Sequence, residues 1–103
     1  MGRFTPWSDD VSAAPGGAAM VQVKALGTLF DYPTGKSAMV WYGVVAPCTA
    51  ERLEHVMGAL RSSRPELVLV WRYRLAASPD ALLAALLQRF ESRFGAPPRL
   101  PGH

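Results

Sequence analysis

Residues 78–98 place the tightest limits on how this chain folds. Ser78-Pro79-Asp80 has the composition of a helix start: a capping hydroxyl, a proline in the first turn, and an acid that the helix dipole favours. Leu83, Leu86, Leu87, Phe90 and Phe94 then recur at three- and four-residue spacing, which is one helical face. Gly95 followed by Pro97-Pro98 stops the helix. An apolar stripe of that kind has to be buried against another layer of structure.

Strand patterns upstream supply that layer. Residues 67–75 alternate, with Leu67, Leu69, Trp71, Tyr73 and Leu75 on one face and Val68, Val70, Arg72 and Arg74 on the other. The first half is apolar on both sides and reads as a central strand. A first strand is expected over 21–30, where Gln22, Lys24 and Thr28 interrupt β-branched and aromatic residues. A turn over 31–37 and a second strand over 38–46 follow, and strands so joined pair antiparallel. Thr49 then caps a helix running to about Ser63, with Leu53, Val56, Met57 and Leu60 on its apolar face and Pro65 beyond. The expected architecture is a small single α+β domain in the order β-β-α-β-α, an antiparallel hairpin plus a third strand with two packed helices. Residues 1–19 read as a flexible N-terminal tail, 20–95 as the domain and 96–103 as a C-terminal tail. Phe4 and Trp7 are expected to dock on the chain's own surface, since two aromatics seldom stay solvated.

At 103 residues and 11.2 kDa there is room for one domain and a modest core, for which an oligomer is a natural source of added stability. Half of the residues are hydrophobic and 18% charged, a globular rather than disordered balance. No apolar run approaches the ~20 residues that cross a bilayer. The start of the chain lacks the layout of a secretory signal, and Pro6 stands where a myristoylation signal has Ser or Thr. Cys48, the sole cysteine, rules out an intramolecular disulfide. These features lead to the expectation of a cytoplasmic protein with no membrane partner. The net charge of +3 comes from nine arginines against two lysines. Arginine suits bidentate phosphate contact, but GC-rich coding yields the same bias, and a charge this small does not decide between them.

Three local patterns bear on chemistry. Pro33-Thr34-Gly35-Lys36-Ser37 resembles the end of a phosphate-binding loop, but Phe30 replaces the first glycine and a strand rather than a helix follows. It is expected to be a hairpin turn with a solvated lysine. Cys48 stands just before a helix, and His55 lies about two turns along and points elsewhere, so no Cys–His pair is expected. Two histidines and one cysteine, widely spaced, are not a metal set, and His103 belongs to the tail. Arg72 and Arg74, sharing a strand face, with Arg61, Arg64, Arg89 and Arg93 on helices, are candidates for a basic surface.

Val40-Trp41-Tyr42-Gly43-Val44-Val45, followed by Arg52-Leu53-Glu54-His55, resembles the GIY-YIG nuclease domain, as does the order of elements over residues 21–94. The resemblance implies phosphodiester hydrolysis by tyrosines, a helix arginine and a metal-binding glutamate. Position by position, Arg52 matches the arginine, Gly43 the glycine of the second motif and Trp41 its tyrosine, with Tyr42 one residue displaced. The glutamate position falls at Leu83 or Ala85, both apolar, with Asp80 and Glu91 about a turn or more away. The family mechanism is therefore expected to be absent.

The function expected from sequence is a non-catalytic macromolecule-binding domain, a protein-interaction module or accessory subunit with weak nucleic-acid contact and no cofactor. Trp41, Arg52, Arg72 and Arg74 are the candidate binding residues, and the partner is a protein or a second copy, with nucleic acid as a further candidate. The alternatives are a magnesium-dependent GIY-YIG-like endonuclease using Tyr42 and Arg52, with a relocated carboxylate, and a structural subunit of a larger assembly.

Overall fold

Ala19–Ala25 form the strand around which the domain is organised (β1). A computed structural model describes residues 3–98. After β1 come the short strands β2 (Phe30–Tyr32) and β3 (Gly35–Ser37), then β4 (Met39–Val45), α1 (Ala50–Ser63), β5 (Leu69–Leu75) and α2 (Pro79–Phe94). The expected α+β architecture is the one observed. A three-stranded sheet has the order β4-β1-β5, antiparallel throughout, and β2 pairs with β3 in a separate hairpin. Among the described residues no helix is long and apolar enough to cross a membrane.

The register explains the two layers. Val21 lies opposite Gly43 and Tyr73, and Val23 opposite Trp41 and Trp71. These side chains share one face, and Leu53, Met57 and Leu60 of α1 are buried in the same core. Each of those α1 residues contributes roughly 1.5–3 kcal/mol by leaving water. Thr49 caps α1 as expected, its hydroxyl accepting from the Arg52 N–H at 3.2 Å. Met20, Gln22 and Tyr42 point to the opposite face. There α2 crosses β1 and β4, with the Phe90 ring 5.6 Å from Tyr42 and 5.2 Å from Tyr32.

Four details differ from the expectation. The first strand ends at Ala25 rather than at residue 30, because Gly27 turns the chain at φ 74°. Residues 30–37 are then a small hairpin instead of a bare turn. The central strand is β1, while β5 lies between it and the N-terminal segment. The α2 stripe is also narrower than its spacing implies. Phe90 is the buried residue of that helix, and Leu83, Leu86 and Leu87 are half-buried.

The segment before β1, read as a tail with docked aromatics, is tied down along its length. Thr5 and Ser8 bond the outer edge of β5, Val11 and Ala14 pack on the core, and Gly16 and Gly17 exchange backbone bonds with Cys48. Of the C-terminal tail expected over 96–103, Ala96 packs against the core, and residues 99–103, His103 included, lie outside the described residues.

Gly43 answers to a packing demand. A Cβ there would meet two ring atoms of Trp41 at 2.3 Å, because the indole lies along its own strand across the glycine. Gly43→Ala should cost at least ~1–3 kcal/mol by overpacking, read from chemical denaturation. The same measurement separates the α2 positions. Phe90→Ala should lose ~3–5 kcal/mol, and Leu86→Ala, at a half-buried site, about 1 kcal/mol.

Candidate functional site: the free edge of the sheet

The two edges of the main sheet are treated differently. Trp71 of β5 exchanges both backbone hydrogen bonds with Ser8, at 2.8 Å each, so its N–H and C=O point away from β1. The Thr5 N–H continues the cover, donating to the Tyr73 carbonyl at 2.9 Å. Side chains lock this segment in place. The Arg72 guanidinium lies 4.5 Å from the Phe4 ring centre and 4.4 Å from that of Trp7, and Lys24 lies 4.5 Å over Trp7. Arg72 Nε donates to the buried Gln22 side chain at 2.7 Å.

The β4 edge has no such cover. Since Trp71 faces outward, Val23 opposite it directs its backbone groups to β4, where Trp41 is the partner. By alternation Trp41, Gly43 and Val45 point into the sheet, and Tyr42 and Val44 present their N–H and C=O outward. Among the described residues no strand meets them. A groove of about 700 Å³ follows this edge, lined on the strand side by Trp41, Val44, Val45 and Ala46. Its helix wall is Glu51, Arg52, Glu54, His55 and Val56, which the three- and four-residue spacing of α1 brings to one side. Glu54 is paired with Arg61 at 3.1 Å, whereas Glu51 and Arg52 are exposed and in no ion pair among the described residues.

The residues singled out in the sequence fall on two sides of the sheet. Trp41 is 1% exposed and forms part of the groove floor rather than a binding platform, and Arg52 stands on the rim. Tyr42 turns to the α2 side, where Leu86, Arg89, Phe90, Arg93 and Phe94 enclose a hollow of about 210 Å³ with it. Arg72 and Arg74 share that side, Arg72 clamped by aromatics and Arg74 with a buried Nε that has no acceptor among the described residues. Arg61 lies on α1 and Arg64 caps its end, so the arginines do not gather into one basic surface. Both apolar positions considered for a catalytic glutamate, Leu83 and Ala85, lie on α2 with Asp80 and Glu91, across the sheet from Arg52.

Cys48 is wholly buried, and burial pushes its thiol up from the ordinary value, while His55 lines the groove. Among the described residues no three His, Cys, Asp or Glu side chains come together as a metal site would require. Lys36 is ion-paired with Asp31 at 3.5 Å on the hairpin surface. Val44, Glu51 and Val56 were not singled out from sequence as site residues. The sign available there was the wholly uncharged run 38–46, which is unusual for an unprotected edge strand.

Comparison with protein-family models, with curated proteins and with solved structures gives no match.

The environment of Tyr42 makes stability depend on pH. Burial raises its phenol from 10.0 to about 12, against the opposing pull of the Arg72 guanidinium. The unfolded chain releases this proton near pH 10 while the folded chain holds it, so the contribution is complete below 10 and declines as pH rises toward 12. Denaturation midpoints should fall over that window, and Tyr42→Phe should remove part of the slope.

Proposed function

We propose that this chain is a non-catalytic protein-binding domain that receives an extended segment of its partner on the free edge of β4. The observation that carries this reading is the open edge itself, with Tyr42 and Val44 offering unpaired backbone groups beside a groove walled by α1. Strand addition takes affinity from main-chain hydrogen bonds and selectivity from pockets for alternate side chains. The groove supplies such a pocket, with an apolar floor at Trp41, Val45 and Val56 and a charged rim at Glu51 and Arg52. Coverage of the other edge by residues 5–8 supports the same reading, since among the described residues it leaves the β4 edge as the open edge of the main sheet. We place this activity in the cytoplasm, with nucleic-acid contact weak and secondary.

The GIY-YIG resemblance carries no chemistry into this reading. Its arginine counterpart, Arg52, stands on α1, whereas Tyr42 and the carboxylates of α2 lie across the sheet. Phosphodiester cleavage by that mechanism needs all of them around one phosphate.

Two measurements test the proposal. Purified protein with magnesium or manganese should leave single- and double-stranded DNA intact; metal-dependent cleavage abolished by Arg52→Ala overturns the non-catalytic reading. A phage-displayed library of random peptides should return sequences rich in β-branched residues. Their binding should be lost in Val44→Pro, which removes an outward N–H that the sheet does not use, and kept in Arg89→Ala on the α2 side. Selected peptides that bind Val44→Pro equally well would place recognition elsewhere.

A further inference from the structure

We infer that the segment received by the β4 edge is β4 of a second copy of this chain, joining two three-stranded sheets into one of six strands. The inference rests on the strand-addition reading and names its occupant.

Three observations select a second copy. Met39–Val45 contains no charge and no proline, so nothing on this edge opposes pairing with an identical strand. The outward backbone groups belong to Tyr42 and Val44, on either side of Gly43. An antiparallel pair centred at Gly43 sets Tyr42 of each copy opposite Val44 of the other and satisfies the free groups of both. The groove rim is self-complementary, because Glu51 and Arg52 are adjacent, opposite in charge and free of ion pairs among the described residues. A two-fold axis through a continuous antiparallel sheet keeps both α1 helices on the same face. In an isologous interface an Arg52–Glu51 pair across the axis would be made twice, once in each direction. The side chains of Tyr42 and Val44 stay on the α2 face, so pairing leaves the Phe90 contact in place.

Sedimentation equilibrium on the full chain should give twice 11.2 kDa. Val44→Pro removes one hydrogen bond from each copy and should raise the dimer dissociation constant at least ~30-fold, with an unchanged circular dichroism spectrum. Arg52→Glu and Glu51→Arg should each weaken the dimer, and the two together should restore it. Amide exchange on the unmodified protein gives the same answer without a variant: Tyr42 and Val44 should be protected in the dimer and exchange faster on dilution. A dimer whose Tyr42 and Val44 amides exchange freely would overturn the inference by placing the contact on another surface. A monomer at all accessible concentrations would also overturn it. In that case, open Tyr42 and Val44 amides that become protected by a selected peptide would leave the strand-addition reading intact. Amides already protected in the monomer would remove both.

Discussion

Three side chains abreast set the dimensions of this domain. Trp41, Val23 and Trp71 form one row across the sheet, and both indoles are 1% exposed. Two rings of that size on the strands flanking β1 demand a slender residue between them, and Val23 supplies it. In the next row Gly43 and Val21 leave room beside Trp41, whereas Tyr73 stacks on Trp71 with ring centres 5.8 Å apart, and unbranched or γ-branched Leu53, Met57 and Leu60 pack from the helix above. The indole N–H groups of Trp41 and Trp71 have no acceptor among the described residues, so these tryptophans serve as volume rather than as hydrogen-bonding groups. The orientation of Trp41 across Gly43 also forms the floor of the groove, so the core and the candidate site share a residue.

The two faces of the sheet solve different problems. Beneath α1 the packing is apolar throughout, and charge begins only at the helix rim. On the other face Gln22, Lys24, Arg72 and Arg74 project from strands that are otherwise in the core. Burying a guanidinium is costly, and here burial lowers the pKa of Arg72. Two aromatic rings and the Gln22 carbonyl offset that cost, and they anchor the N-terminal segment against β5 in doing so. Residues that resemble a nucleic-acid footprint in one dimension thus become internal fasteners in three.

Much of this was legible in the sequence for identifiable reasons. The boundaries of α1 and α2 followed from Thr49, Pro79 and Gly95, whose effects are local to the backbone. The order of elements and the antiparallel pairing of β1 with β4 followed from alternation and turn residues. Strand order did not, because alternation reports which face a residue occupies but not which strand lies beside it. The half-buried state of Leu86 was hidden for a related reason: a stripe can be wider than the surface beneath it. Candidate site residues fared unevenly. Arg52 sits on the groove, whereas Trp41 and Tyr42, neighbours in sequence, were bound to part company once they lay in a strand.

The β2–β3 hairpin shows how one short turn reaches across the fold. Thr34 donates its hydroxyl to the Arg93 carbonyl at 2.6 Å and its N–H to the Phe94 carbonyl at 3.1 Å, the groups that the end of a helix leaves unpaired. Tyr32 adds ring contacts to both Phe90 and Phe94. The hairpin therefore acts as the terminal cap of a helix 59 residues away in the chain. Neither piece has a complete set of hydrogen bonds without the other. Opening the last turn of α2 exposes the hairpin, and opening the hairpin frays the helix, so the two melt and re-form as a single cooperative unit within the domain.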